Sequence, residues 1–134
     1  MHIADVSLAA RGRWHMIAAC VIGFWVVAGI VINIASHLGA SVVWWDLIHP
    51  FTIGAMTTAI IVYSTHFTEA LTRMQARGYK GVAWRVGIVQ VGLVLLLVDR
   101  AGFDWGPLSD AASLLIIATF CWHGFDIYRA CLLY

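Results

Sequence analysis

The run WHMIAACVIGFWVVAGIVINIAS, residues 14–36, decides the class of this protein. It follows Arg11 and Arg13 and is longer than the ~20 apolar residues that cross a hydrocarbon core. A secretory signal also opens on basic residues, but its apolar core is only ~7–15 residues long and ends at a small-residue cleavage site. No clear site of that kind follows here, so the run reads as a retained membrane span.

Working outward, the rest of the 134-residue chain repeats the theme. It is 62% hydrophobic and 11% charged with a net charge of +1, against roughly 45–50% apolar and about 25% charged for soluble domains. Four spans are expected, over residues 13–36, 50–72, 81–98 and 110–134. Gly39, Ala40 and Ser41 break the first. Trp44, Trp45 and Asp46 form an interfacial belt ahead of the second, whose early position suits Pro50, while the His49-Pro50 step disfavours helix at His49 itself. Residues 74–80 connect the second span to the third, residues 99–107 connect the third to the fourth, and Ser109 is a natural N-cap.

Arg11, Arg13, Arg73, Arg77, Lys80, Arg85 and Arg129 fall on one side of these spans. Asp46, Asp99, Asp104 and Asp110 fall on the other, with Arg100. The excess of basic residues places both termini in the cytoplasm, with the chain in the plasma or inner membrane. The expected fold is all-α: one integral membrane domain, residues 1–134, forming an up-down-up-down four-helix bundle. A near-neutral chain with no Lys/Arg stripe excludes nucleic acid as a partner. No Ser-His-Asp order, phosphate loop or zinc spacing points to a hydrolase. Cys20, Cys121 and Cys131 lie in apolar segments, which argues for packing residues and against a disulfide framework.

The chemistry lies in a pattern that occurs twice. Tyr63-Ser64-Thr65-His66-Phe67-Thr68-Glu69 is followed by Arg73, and Phe120-Cys121-Trp122-His123-Gly124-Phe125-Asp126 by Arg129. Each is an apolar run ending in His-x-x-carboxylate, which puts an imidazole and a carboxylate on one helix face. At 1.5 Å per residue, His66 and His123 both lie roughly 20–25 Å from the outer ends of their spans. The first span runs the opposite way, so His15 belongs to the same level.

In an up-down-up-down bundle the second and fourth helices are diagonal, and two level imidazoles there can ligate a flat macrocycle between them. That reading is haem b held by His66 and His123, with Arg11, Arg13 and Arg85 meeting its propionates and Trp122 lining the pocket. Its competitor is a copper or iron site built from His15, His66 and His123, with Glu69, Asp126 and His49 as further ligands or supporting groups. A plainer reading also holds: Glu69 with Arg73 and Asp126 with Arg129 are ordinary ion pairs at i,i+4 and i,i+3. His49, His37 and Asn33 suit a small polar cluster at the outer interface. Gly23, Gly29, Gly54, Ala55, Gly87 and Gly92 allow either close helix contact or room for a ring. Gln90 is a polar partner for the interior.

The stretch Leu47-Ile48-His49-Pro50-Phe51-Thr52-Ile53-Gly54-Ala55-Met56-Thr57, continuing to Val62-Tyr63-Ser64-Thr65-His66-Phe67, resembles the core of a known membrane region. This is the four-helix region ahead of the copper domains of bacterial multicopper-oxidase and copper-nitrite-reductase-like proteins. Arg13-Trp14-His15 and Trp122-His123 resemble its other two marks. The likeness spans most of the chain and departs from the pattern at Pro50 and in the lack of an attached soluble copper domain. The resemblance implies a membrane metal or redox module carrying His15, His49, His66 and His123 and serving a copper enzyme as partner.

The functional expectation is a module that passes electrons between a quinol, or another redox membrane protein, and a redox enzyme. A cofactor-free accessory subunit of a larger membrane complex is the second class. Transport is the weakest, because the interior offers few polar groups beyond His15, His66, Gln90 and His123.

Overall fold

The computed structural model describes residues 8–72, 78–100 and 105–132, and every element within them is helical. Among the described residues, four helices are long and apolar enough to cross a membrane. Helix α1 spans Leu8–His37; α2, Trp44–His49, runs through a π-helical segment, Pro50–Met56, into α3, Thr57–Leu71; α4 is Lys80–Arg100 and α5 is Pro107–Leu132. The connection expected at residues 74–80 and the pairing of Glu69 with Arg73 fall wholly or partly outside the described residues, as do Arg77, Asp104, Tyr134 and most of the N-terminal arm.

Two span boundaries differ from expectation. The second span begins at Trp44 and not at Pro50, and His49 is helical, with φ −71° and ψ −24°. A proline inside a helix lacks an N–H, and its ring crowds the carbonyl four residues back. Here the helix widens into π geometry at Pro50, which relieves that clash without ending the span. The wider turn closes at Thr57, whose N–H and hydroxyl both donate to the Thr52 carbonyl, the hydroxyl at 3.0 Å.

The fourth span begins at Pro107, a position that suits proline because the first helical N–H groups have no partner in the helix. Ser109 is therefore inside the first turn and does not cap it. Asp99, at the end of α4, does so instead: its carboxylate accepts the Ser109 N–H at 3.0 Å and the Ser109 hydroxyl. An anion at a helix N-terminus is also favoured by the helix dipole. At the other break, Gly39 takes φ +96°, a left-handed conformation that ends α1.

Helix α3 is the hub. It packs against α1, α4 and α5, whereas among the described residues α1 and α5 make no close backbone approach. The second and fourth spans are thus neighbours, not the diagonal pair expected from a square bundle.

Contacts fall into three levels. At the His66 end, Ala18, Ile61, Val62, Val82, Val86 and Val89 form one core, with Trp14 packed against it. In the middle, the Trp25 indole N–H donates to Gln90, Gln90 donates to the Thr58 hydroxyl at 2.9 Å, and Thr58 donates to the Gly54 carbonyl at 2.6 Å. A polar side chain in hydrocarbon has no water to turn to, so this closed chain lets Gln90 sit between helices as expected. At the Asp46 end, Leu96, Ala112 and Ile116 pack with Trp45, and Asn33 donates to the Gly29 and Leu47 carbonyls at 2.8 and 3.1 Å.

Three of the glycines are contact points. Side chains seated on them are Phe51 on Gly29, Trp25 on Gly54 and Ile116 on Gly92. Gly23 and Gly87 face open space. The three cysteines are exposed and do not pack in the core. Their helices, α1 and α5, are apolar all round, so apolar neighbours in sequence do not mark an inward face.

Gly54→Val should drive methyl groups into the Trp25 ring and lower stability by about 1–3 kcal/mol, the usual range for overpacking. Gly87→Ala, with open space before it, should leave stability within about 0.5 kcal/mol of the parent. Thermal unfolding of both variants in one detergent checks the contrast.

Candidate functional site

Successive positions on a helix turn by about 100°, so Ser64 and His66 leave α3 on nearly opposite sides. His66 turns toward α1. Its ring meets His15 edge-on, with centroids 5.2 Å apart and an interplanar angle of 87°, and Tyr63 stacks near His15 at 6.2 Å. Ser64 turns toward α5, where its hydroxyl lies 2.8 Å from Nε2 of His123. The Ser64 hydroxyl also donates to the Ile60 carbonyl at 2.5 Å. Its single proton is then committed, so Nε2 of the buried His123 carries a hydrogen and donates to Ser64.

The structure therefore pairs His66 with His15, and His123 with Ser64; it does not bring His66 and His123 face to face. His66 is exposed, while His123 is buried with no hydrogen-bond partner for Nδ1 among the described residues.

The carboxylates take different roles as well. Asp126 pairs with the buried Arg85 of α4, across the bundle and not along α5 with Arg129. Arg129 lies over the Phe125 ring at 5.7 Å. The Arg85 guanidinium also lies 5.3 Å from the centre of the Trp122 ring, so Trp122 holds a cation and does not line the nearby cavity. Glu69, one turn from His66, lines a small cleft with Trp14, His15, His66 and Tyr79. Trp14 and Tyr79 stack at 5.3 Å with an interplanar angle of 11°. Burial pushes the Tyr79 phenol above its ordinary value, the Glu69 charge adds to this and Arg11 opposes it. The phenol accordingly stays protonated.

Beside this cleft, and sharing Thr65, Glu69 and Val82 with it, lies a larger cavity of about 150 Å³ between α3, α4 and α5. Thr68, Arg85 and Asp126 also line it. The remaining expected residues stand apart. Arg13 is exposed. His49 is at the opposite end, stacked on Trp45 at 3.4 Å, with Nδ1 2.6 Å from the Trp45 carbonyl. His37 is exposed and Asn33 bonds only backbone carbonyls, so the outer cluster expected around His49 does not form among the described contacts.

Among the described residues no three His, Cys, Asp or Glu side chains stand together as a ready metal-holding group. The His15–His66 pair is the nearest approach to one. Its ring centres are 5.2 Å apart, within the range of ordinary edge-to-face ring packing and also compatible with two imidazoles about a tetrahedral metal. Glu69 lines the same cleft.

Sequence reasoning missed Ser64, Thr68, Tyr79 and the Arg85–Asp126 pair. The signal for Ser64 was its offset of two from His66, which sends it to the other side of α3. Nothing in the local sequence marks Arg85 as the partner of Asp126.

No protein family, no curated protein and no solved structure matches this chain at a significant level.

Ser64→Ala leaves the buried His123 Nε2–H without its acceptor and should cost about 1–3 kcal/mol. Unfolding of this variant beside Thr65→Ala, whose hydroxyl serves only a backbone carbonyl, reads the difference.

Proposed function

We propose that this chain is a membrane-embedded metal and redox module whose metal is held by His15 and His66, with Glu69 as a further donor. The observation that carries the reading is the edge-to-face imidazole pair at 5.2 Å, formed between two membrane-spanning helices beside a carboxylate. Ionisable groups are costly within a membrane and there tend to mark function. Imidazole with carboxylate suits copper or iron, and the resemblance to the membrane region of copper-enzyme proteins favours copper. On that reading the partner is a copper enzyme or another redox membrane protein, and the electron source is a quinol.

Haem b with His66 and His123 as its two axial ligands does not fit this arrangement. His66 leaves α3 toward α1, whereas His123, on α5, meets the opposite side of α3 and is fixed there by Ser64. Arg85, the best buried of the residues expected to meet propionates, is engaged by Asp126.

The topology is part of the same proposal. Arg11, Arg13, Lys80, Arg85 and Arg129 gather at the His66 end and Asp46, Asp99 and Asp110 at the other. The positive-inside rule then gives an up-down-up-down bundle in the plasma membrane, with the His66 end and both termini cytoplasmic.

Metal analysis and absorption spectra of the purified protein, oxidised and reduced, test the assignment. Stoichiometric copper or iron should be retained by His123→Ala and fall at least about tenfold in occupancy in His15→Ala and His66→Ala, in line with loss of a ligand. A haem spectrum lost in both His66→Ala and His123→Ala would restore the macrocycle. No bound metal in the parent protein would leave the accessory-subunit reading.

A further inference from the structure

Helix α3 lies between α1 and α5, which make no close backbone approach to each other among the described residues, so one side of α3 is left uncovered. The helical step fixes which side. Ile61 and Val62 join the core with Val82, Val86 and Val89 of α4, and Thr65 also lies beside Val82. Tyr63 and Phe67, each two positions from Thr65, turn the other way. With Met56 and Ile60 they form a stripe along the second span whose members are 41–60% exposed.

His66 is exposed at the edge of this stripe, with its ring centre 6.1 Å from that of Phe67, and His15 reaches it from α1. Ala19 and Gly23, about one and two turns along α1 from His15, are exposed as well, and a Cβ added at Gly23 would meet nothing within 4 Å. Small residues let another helix come close. The number of ligands points to what covers this side. Among the described residues His15 and His66 make a pair, and no three metal-holding side chains stand together. Metals held by imidazole commonly take four ligands, so one chain supplies half a shell. Two copies inserted with the same orientation are related by a two-fold axis along the membrane normal, which sets each residue opposite its equivalent at the same depth. The stripe itself carries no charged side chain, so two copies bring no like charges together along it.

We infer that a second copy of this chain packs against the stripe, and that His15 and His66 of both copies complete one four-imidazole metal centre at the interface. This sharing deepens the metal reading proposed above, on which it rests, and sets its stoichiometry at one ion for two chains. Glu69 of each copy then lies beside the site.

Two measurements on the full chain in lipid vesicles test this. With Cys20, Cys121 and Cys131 replaced by serine, a short bis-maleimide should join chains carrying Ile60→Cys into dimers. It should leave as monomers chains carrying Val94→Cys, in the groove on the other side of α1 beside Trp25. Loaded with copper, the parent protein should hold one ion per two chains. Ala19→Trp, which puts a bulky ring on the shared side, should lower both the Ile60→Cys linkage and the copper content at least about tenfold. Thermal unfolding of the copper-free Ala19→Trp chain should match the parent, which shows that the bundle is intact. One ion per chain with no linkage at Ile60→Cys would overturn the inference and leave the metal reading in place, whereas a chain that binds no copper would overturn both. Linkage at Val94→Cys as fast as at Ile60→Cys, or unchanged linkage and copper content in Ala19→Trp, would also overturn the shared centre.

Discussion

The arrangement of the whole His66 end depends on one constraint, the angular step of an α-helix at Ser64 and His66. Two positions turn the helix by about 200°. Because α3 stands between α1 and α5, one of these side chains must face each neighbour. His66 meets His15, and Ser64 meets His123. Two histidines that look equivalent in sequence thereby acquire different surroundings: His66 is exposed beside the half-buried His15 with a carboxylate nearby, and His123 is buried and held by a hydroxyl.

Several surrounding polar groups follow a second rule, that an unpartnered polar group is costly in hydrocarbon, although Nε of Arg85 and Nδ1 of His123 have no hydrogen-bond partner among the described residues. Gln90 is tied to Trp25 and Thr58 in mid-span, and Arg85 is tied to Asp126 and Trp122 at the His66 end. These links join different helices and so act on tertiary structure, where helix propensity does not reach. The glycines beneath Trp25, Phe51 and Ile116 supply the complementary fit. The contacts of Trp25 with Gly54, Phe51 with Gly29 and Gln90 with Thr58 hold the second span to α1 and α4, while Arg85–Asp126 and Ile116 on Gly92 hold α4 to α5.

Much of this was legible from residue order alone. Apolar run length finds all four spans, because the bilayer sets a minimum length that few other structures need. The matched depth of His15, His66 and His123 also holds, since it follows from rise per residue: His66 contacts His15, and His123 contacts Ser64 two positions before His66. What could not be read was rotation about the helix axes. Helices α1 and α5 are apolar on every side, so their sequences do not say which face turns inward, and the cysteines and His123 were oriented wrongly or not at all. Pro50 misled for a related reason: a local rule stops a helix there, while the π turn it produces is a property of the continuous span.

The packing at this end turns on one facing, that of His66 to His15 and not to His123. It is most directly measured in membranes, with a short bifunctional thiol reagent acting on cysteine pairs in a chain whose Cys20, Cys121 and Cys131 are replaced by serine. Pairs introduced at positions 15 and 66, and at 64 and 123, are predicted to cross-link rapidly, and the pair at 66 and 123 only slowly. Fast linkage of 66 to 123 with none between 15 and 66 would contradict the account and return the two histidines to a common site.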